Sequence, residues 1–195
     1  MTPSLYAAIL IGGQSRRMGA EKHTLPWRGG DLLDHMIAAA RPLVEEVVLI
    51  GASVPDRGLD CWTDAEGVEG PLGGLIAMSR ARPQAHWLAL SCDMPLMTTG
   101  ALEWLSSWAT SEWSAVIPRT RDAHTQPLAA LYAPHSGPLL EAVASGSTMS
   151  PRLLVNSADV HSPQVPEHLD RCWTNVNTPE DLERCVRSLN GNLSV

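Results

Sequence analysis

Short apolar segments alternate with amphipathic segments along most of the chain. Buried strands are predicted where apolar runs are short and bounded by turn residues, at 5–11, 46–52, 59–63, 86–92 and 114–118. Helical spacing of apolar residues predicts helices over 31–43, 70–81 and 98–109. Strands that alternate with helices indicate a mostly parallel sheet covered on both faces, which is a Rossmann-like three-layer α/β/α fold.

The pattern changes after about residue 119. An added strand is predicted over 125–134, and helices are predicted over 136–146, 147–157 and 178–191. Thr178 is the expected N-cap of the terminal helix, and Pro179 occupies its first helical position. No repeat or linker interrupts the chain, so we expect a single domain over 1–195.

Composition narrows the class of protein. The chain has 195 residues, of which 44% are apolar and 18% charged, and this is ordinary globular composition. The formal net charge of −7 argues against broad nucleic-acid binding, although it allows a small basic pocket. No segment approaches the roughly 18 consecutive apolar residues of a membrane span. The four cysteines are widely spaced and predicted to be reduced and mostly buried, so we expect a cytoplasmic protein without membrane or nucleic-acid partners.

The loop after the first predicted strand concentrates positive charge. Gly12 and Gly13 allow a ligand to approach the backbone closely, and Arg16, Arg17 and Lys22 are suited to phosphate. A solvated surface turn would have the same composition. The spacing excludes both the P-loop and the dinucleotide-binding fingerprint, so a phosphate site here would be of a different kind.

Two carboxylates follow other predicted strands. Asp93 ends a central strand just before Pro95, where it could bind Mg²⁺, an ion that takes one or two carboxylates plus substrate phosphates. Asp64 follows the strand at 59–63 and precedes a glycine-rich segment; a helix cap or turn would also explain it. Because ligands of open parallel sheets bind at the carboxyl ends of the strands, these residues are expected to meet.

Asn175 and Asn177 lie just before the terminal helix. In extended backbone, residues i and i+2 point the same way, so both amides are expected to face one site. Capping by Thr178 alone would explain the threonine but not the two asparagines. No nucleophile and histidine stand at a spacing that indicates covalent catalysis.

These segments together resemble the molybdenum cofactor guanylyltransferases. "LIGGQSRRMG" with Lys22 resembles the signature L-A-G-G-x-S-x-R-M-G-x-x-K. "DAEGVEGPLGGL" is similar to the family's Asp followed by G-P-L-A-G, and "SCDMP" to its C-D-x-P metal motif. "TQPLAALY" and "NVNTPEDL" resemble the pterin-side motif H-P-x-x-A-L-Y and the closing motif. The five matches occur in order and cover nearly the whole chain.

The resemblance implies a fold of the nucleotide-diphospho-sugar transferase type and a specific reaction. GMP would pass from GTP to the terminal phosphate of molybdopterin, with or without molybdenum, giving molybdopterin guanine dinucleotide and pyrophosphate. Residues up to about 119 would bind the nucleotide, and residues from about 120 the acceptor. Transient contacts with proteins that make and receive the cofactor are also implied.

The resemblance also implies the site residues. The nucleotide would be bound by Leu10, Ile11, Gly12, Gly13, Lys22, Asp64 and Asp93. Catalytic contacts would come from Arg17 and Lys22 to the triphosphate, and from Asp93 to Mg²⁺, or alternatively Mn²⁺, and the α-phosphate. Asn175 and Asn177 would organise the reacting phosphates. Gln126, Pro127 and Arg152 would lie on the acceptor side.

The chain departs from the family pattern in four segments. Ile11 replaces an alanine, and Ile50 and Gly51 stand where an asparagine can contact the base. Gln126 replaces a histidine, and Arg152 is the only cation near the altered Gly-x-Arg element. A cytidylyltransferase acting on the same cofactor, a sugar-phosphate nucleotidylyltransferase and a nucleotide-binding regulatory or adaptor protein remain alternatives. L-I-G-G and G-P-L-x-G favour GTP over CTP.

Overall fold

The structure is a computed structural model that describes residues 4–12, 22–110 and 112–191. The strands are β1 (Leu5–Leu10), β2 (Pro26–Trp27), β3 (Gly30–Asp31), β4 (Val47–Ile50), β5 (Cys61–Trp62), β6 (His86–Ser91), β7 (Ala115–Val116), β8 (Ala129–Tyr132) and β9 (Val160–His161). The α-helices are α1 (Leu32–Ala40), α2 (Pro71–Ala81), α3 (Thr99–Ser106), α4 (Gly137–Ala144) and α5 (Pro179–Gly191).

The main sheet has the strand order β5-β4-β1-β6-β8-β7-β9. Strands β5, β4, β1 and β6 are parallel, β8 is antiparallel to both β6 and β7, and β9 is parallel to β7. The chain runs from β1 outward to β4 and β5, and then returns through α2 to β6 on the other side of β1. This reversal of direction makes the carboxyl ends of β1 and β6 the topological switch point of the sheet, where open α/β folds bind ligands.

Helices cover both faces of this sheet. One core cluster packs α1 and α3 against alternate residues of the central strands, such as Ile9 and Leu90. A second cluster packs α2 and α4 against the opposite face, which includes Ala8 and Trp87. The alternation follows from the two-residue period of a strand. The predicted mostly parallel, three-layer α/β/α architecture is confirmed.

A third, smaller cluster joins the beginning and end of the described chain. Strands β2 and β3 form a separate two-stranded hairpin. Trp27 of this hairpin and Leu32 of α1 are buried together with Val176 and with Cys185 of α5. The hairpin therefore holds the segment that precedes α5 close to the start of α1.

Side-chain caps begin several helices where the sequence predicts them. Asp31 is the N-cap of α1, and its carboxylate accepts a hydrogen bond from the Asp34 amide while the Asp34 side chain accepts from the Asp31 amide. Before α5, Thr178 Oγ1 accepts from the amide of Asp181 at 3.2 Å, and Asp181 Oδ2 accepts from the Thr178 amide at 2.9 Å. Both pairs are capping boxes, which satisfy amides that a helix start would leave unpaired.

Several predicted elements are shorter in the structure. The strand expected over 125–134 is confined to β8, and the helix expected over 147–157 is a 3₁₀ helix, Pro151–Asn156. Strand β5 lies at the edge of the sheet, which leaves Cys61 exposed, whereas Cys92, Cys172 and Cys185 are buried. All four thiols are free, as expected. Strand β9 and the β2–β3 hairpin were not predicted, because they do not lie in runs like those that predicted β5 and β7, which also have two residues each.

Candidate active site

A cleft of about 430 Å³ opens at the carboxyl ends of β1, β4 and β6. It is lined by Leu10, Ile11, Gly12, Lys22, His23, Ile50, Asp64, Gly70, Pro71, Ser91, Cys92, Asp93 and Leu128. We call it the first cleft. It therefore brings together all the predicted nucleotide-binding residues that the structure describes, at the switch point of the sheet. Gly13 and Arg17, which the sequence also assigns to this site, lie outside the described residues.

Glycines allow two strand ends to approach each other at the floor of the first cleft. Gly12 and Gly51 follow β1 and β4 with φ values of +114° and +105°. A Cβ on Gly51 would lie 2.2 Å from the carbonyl oxygen of Ile11, a distance that no side chain can occupy. Gly51 therefore serves backbone packing at the position where the family can carry a base-contacting asparagine.

Ile11 points away from the first cleft. Its side chain is 4% exposed and belongs to the core cluster on the α1 and α3 face. The replacement of the family's alanine therefore adds bulk to the core. The backbone of residue 11 remains at the cleft wall.

The start of α2 forms another wall of the first cleft. Gly70 is its N-cap with φ +71°, and Pro71 occupies the first turn. A Cβ on Gly73 would lie 2.8 Å from the Val68 carbonyl oxygen, so this glycine lets the helix pack tightly against the preceding loop. A helix N-terminus presents unpaired amides and a partial positive charge, and both favour an anionic ligand.

Asp64 lies between this helix start and the end of β4. A Cβ on Gly74 would lie 3.3 Å from Asp64 Oδ1, and a Cβ on Gly51 would lie 3.7 Å from Asp64 Oδ2. Partial desolvation raises the pKa of the Asp64 carboxyl above its ordinary value. Asp64 is a candidate for a functional role, because its carboxylate is partly desolvated and lies beside a cleft.

Lys22, Asp93 and Asn177 meet at the opposite wall of the first cleft. Lys22 Nζ donates to Asp93 Oδ2 at 3.2 Å and to Asn177 Oδ1 at 2.9 Å. The side chains of Lys22 and Asp93 are 21% and 19% exposed, so the pair is largely shielded but open to a ligand. The sequence assigns Lys22 to phosphate binding, Asp93 to metal binding and Asn177 to the organisation of the reacting phosphates. These three side chains form one hydrogen-bonded cluster.

Two further contacts orient Asp93. Ser91 Oγ, from the end of β6, donates to Asp93 Oδ1. The Asp93 carbonyl accepts from the Val176 amide at 2.8 Å, which places Asn177 beside Lys22. Sequence reasoning missed Ser91, although a hydroxyl two residues before a strand-end carboxylate was a usable signal. His23 follows Lys22, and its polar surroundings in the sequence favour a partly exposed loop residue over one that lines the site; in the structure it is buried at 6% exposure and lines the first cleft.

The two asparagines serve different clefts. Asn177 binds Lys22, whereas Asn175 Nδ2 donates to Gln126 Oε1 at 3.2 Å. The expectation that both amides face one site does not hold, because residues 174–177 do not form a strand and lack its two-residue alternation.

Asn175 and Gln126 belong to a second cleft of about 710 Å³. This second cleft is lined by Thr120, Arg121, Asp122, Ala123, His124, Thr125, Gln126, Arg152, Asp170, Trp173, Thr174 and Asn175. The predicted acceptor-side residues Gln126 and Arg152 thus share one surface. Pro127 is buried behind it, and its carbonyl accepts from the hydroxyl of Tyr132 at 2.8 Å.

Cys92 is unsuited to act as a nucleophile, although it lines the first cleft. Its side chain is 7% exposed, and desolvation followed by the charge of Asp93 raises the pKa of its thiol to about 12. The reactive thiolate form is therefore suppressed at neutral pH.

Within the described residues, none of the helices combines the length and apolar character needed to cross a bilayer.

Comparison with known proteins agrees with this geometry. Residues 7–160 match the family model described as the MobA-like NTP transferase domain. A molybdenum cofactor guanylyltransferase from Pseudomonas putida is 32% identical over 189 residues, which cover 93% of this chain and 97% of that protein.

Two crystal structures share the fold. Molybdopterin-guanine dinucleotide biosynthesis protein A from Archaeoglobus fulgidus has a TM-score of 0.78 at 22% identity, over 95% of this chain and 99% of that one. A Mycobacterium tuberculosis protein in complex with manganese has a TM-score of 0.63 at 19% identity, over 94% and 98% of the two chains. Because the family model spans most of the sequence, the chain belongs to the MobA-like NTP transferase domain family.

Proposed function

We propose that this protein transfers GMP from GTP to the terminal phosphate of molybdopterin, giving molybdopterin guanine dinucleotide and pyrophosphate. The Lys22–Asp93–Asn177 cluster at the switch point of the sheet carries the proposal. A cation, a carboxylate and an amide at that position suit a nucleoside triphosphate better than a neutral ligand. The name of the Pseudomonas putida relative supports the same reaction.

In the proposed complex the base and ribose of GTP lie over Leu10, Gly12 and the backbone of Ile11, and the sequence assigns Gly13 to the same contact. The triphosphate is bound by Lys22 together with Arg17. The amides at the start of α2 supply further hydrogen-bond donors for anionic oxygens. Asp64 accepts hydrogen bonds from the nucleotide.

A divalent metal ion fits the first cleft through Asp93. Over the described residues, no cluster of three or more His, Cys, Asp or Glu side chains is arranged to hold a metal ion. An ion here would take most of its ligands from phosphates and water, as Mg²⁺ does in many phosphoryl-transfer sites. When bound, Mg²⁺ or Mn²⁺ would supply charge neutralisation at the reacting phosphates.

The chain's own residues then act by position and charge. Lys22 releases Asp93 and binds phosphate oxygens, while Ser91 keeps the carboxylate of Asp93 oriented. An oxygen of the acceptor phosphate forms a bond to the α-phosphorus, the bond from that phosphorus to the bridging oxygen breaks, and pyrophosphate leaves with the electron pair. No covalent protein intermediate is needed, because positioning and electrostatic stabilisation suffice for in-line transfer.

The acceptor enters through the second cleft, whose polar lining includes Gln126, Arg152 and Asn175. The segment 174–177 borders both clefts, since Asn175 lies in one and Asn177 contacts Lys22 in the other. The acceptor phosphate can therefore reach the nucleotide while the pterin remains in the second cleft. Pro127 supports this wall from behind.

Pyrophosphate release tests the proposal. The protein is incubated anaerobically with molybdopterin, Mg²⁺ or Mn²⁺, and GTP, CTP, ATP or UTP in turn. We expect release with GTP, and molybdopterin guanine dinucleotide as the co-product by mass spectrometry. Release with CTP alone would assign the protein to cytidylyl transfer, and binding of a nucleotide without turnover would assign it a regulatory role.

A further inference from the structure

The second cleft contains an aspartate–histidine pair for which the reaction above gives no role. His124 Nδ1 and Asp122 Oδ2 are 2.6 Å apart, and both side chains line the second cleft. They are 75% and 68% exposed, so a ligand can reach them. Hydrogen bonds from Thr120 and then from His124 lower the pKa of Asp122. The carboxylate is therefore ionised, and Nδ1 of His124 is the donor.

The pair lies on a hydrogen-bonded hairpin at the rim of the second cleft. Residues 118–126 form a tight hairpin closed by the Gln126 amide donating to the Pro118 carbonyl at 3.0 Å. At its tip the Ala123 amide donates to the Thr120 carbonyl at 2.9 Å, and Ala123 adopts a φ of +66°. Thr120 is buried at 8% exposure, and its hydroxyl orients Asp122. The imidazole is thus fixed through Nδ1, and Nε2 is left for a ligand.

The remaining charges of the second cleft nearly cancel. Arg121 pairs with Glu167, and the carboxylate of Asp170 accepts from the Arg121 amide at 2.9 Å. Arg152 is exposed and makes no ion pair within the described residues. The charged side chains that line the cleft are two arginines and two aspartates, and Glu167 beside Arg121 adds one negative charge. A protonated His124 offsets this excess beside the bound anion.

We propose that His124, held through Nδ1 by Asp122, binds the anionic acceptor with its Nε2 and makes acceptor affinity depend on protonation. The inference rests on the proposed function in one respect, that the acceptor is a phosphorylated pterin. Its anionic charge favours the imidazolium form, in which Nε2 donates a charge-assisted hydrogen bond. Asp122 is a positioning residue, because its carboxylate contacts Nδ1 and orients the ring.

Steady-state kinetics of His124→Gln test the assignment. The KM for molybdopterin is expected to rise roughly 10-fold, the usual scale for a hydrogen bond to a charged group, while kcat and the KM for GTP stay unchanged. His135→Gln is the matched control, because His135 is exposed and lies outside both clefts. A fall in kcat without a change in the KM for molybdopterin would contradict acceptor binding.

The pH profile separates this role from a structural one. We compare the KM for molybdopterin of His124→Gln with that of the wild type from about pH 5 to about pH 8, the range over which imidazole changes charge. We use the ratio of the KM of the variant to that of the wild type, because titration of the substrate's own phosphate affects both values equally. This ratio should be largest at low pH and decline as pH rises. A ratio independent of pH would overturn the proposal.

A direct measurement of molybdopterin binding tests the role of His124 without requiring turnover of a nucleotide. Anaerobic titration with molybdopterin alone is followed by the intrinsic tryptophan fluorescence, to which Trp173 of the second cleft contributes together with the other six tryptophans. Weaker binding to His124→Gln than to the wild type supports the inference even if no nucleotide is turned over, in which case only the proposed function fails. Equal binding to both proteins, or no binding to either, overturns it.

Discussion

Lys22 compensates the charge of Asp93. Its ammonium group bridges the carboxylate and the Asn177 amide, so neither side chain is an isolated charge or an unpaired polar group in a largely shielded site. In the proposed reaction, a triphosphate would offer Lys22 stronger anionic partners and would free the carboxylate of Asp93. This exchange of partners by Lys22 would link nucleotide binding to exposure of the oxygen that is proposed to bind the metal ion.

Replacing Asp93 tests the centre of the site. Asp93→Asn keeps the side-chain shape but removes the charge, and we expect kcat to fall roughly 10²–10³-fold, the scale for loss of one preorganised electrostatic contact. The pyrophosphate assay measures it. Asp60→Asn, an exposed change outside both clefts, should keep normal turnover. Near-normal turnover of Asp93→Asn would exclude this carboxylate as the metal ligand.

Asp64 should lower stability at neutral pH. Partial desolvation raises the pKa of the folded protein's carboxyl above the ordinary value of 3.8, so the folded state binds this proton more tightly than the unfolded state does. Its favourable contribution is complete below about pH 3.8 and is lost as pH rises through the raised pKa. Asp64→Asn should therefore raise Tm at neutral pH and weaken GTP binding.

Thermal unfolding of the ligand-free protein measures this effect. The Tm difference between Asp64→Asn and the wild type should shrink as the buffer is acidified toward the ordinary carboxyl pKa. A variant that is less stable than the wild type at neutral pH would show that the Asp64 carboxylate is held by contacts favouring its charge.

At the scale of elements, segments within clear apolar runs were predictable and the others were not. The apolar runs of β1, β4 and β6 and the capped start of α1 follow directly from side-chain pattern and Asp31. Strands β2, β3 and β9 have two residues each and were not predicted; β2 and β3 depend on pairing with each other, and β9 on pairing with β7. Tertiary contacts decide such elements, and local sequence does not record them.

The candidate site was also predictable from the sequence only in part. Asp93 and Lys22 follow from motif chemistry and from the rule that ligands bind at the carboxyl ends of strands. The separation of Asn175 from Asn177 was not predictable, because it depends on how the segment before α5 docks on Gln126 and Lys22. The inward direction of Ile11 likewise depends on packing against α1 and α3.

The close approach of β1 and β4 yields a prediction with an internal control. Gly51→Ala places a methyl group 2.2 Å from the Ile11 carbonyl oxygen, whereas a Cβ on Gly58 meets no atom within 4 Å. Both glycines have positive φ, at +105° and +61°. Gly58→Ala should cost about 1–2 kcal/mol from backbone strain alone. Gly51→Ala should cost more and weaken GTP binding, since the strand ends must separate.

Chemical denaturation and nucleotide titration of both variants measure these costs. Equal destabilisation by the two substitutions would show that backbone strain, and not the contact between the strand ends, makes glycine necessary at position 51.

At the scale of the whole molecule, the third core cluster connects folding to the site. Val176 is fully buried beside Trp27 and Leu32, and its amide donates to the Asp93 carbonyl. Packing of α5 and the hairpin therefore sets the position of Asn177. Stability and activity are coupled at this point, although Val176 touches neither substrate in the proposed complex.

Val176→Ala should reduce both the stability and the turnover number of the protein. Loss of two buried methyl groups and the resulting cavity should lower the free energy of unfolding by about 2 kcal/mol. The turnover number should fall as well, because Asn177 loses its fixed position beside Lys22. Val186→Ala is the control, since Val186 is 43% exposed on α5. Denaturant titration and the pyrophosphate assay report the two effects, and unchanged turnover would refute the coupling.

The bond between Lys22 and Asn177 joins residues 155 positions apart. A ribosome must therefore synthesise nearly all of the described sequence before the ammonium group meets this amide. At 5–20 residues per second, this interval lasts about 8–30 s. Throughout that time the nascent chain can assemble β1, β4 and β6 while Lys22 still lacks one partner. Newly made molecules consequently acquire the complete site only late in translation, when most of the sheet is already available to support it.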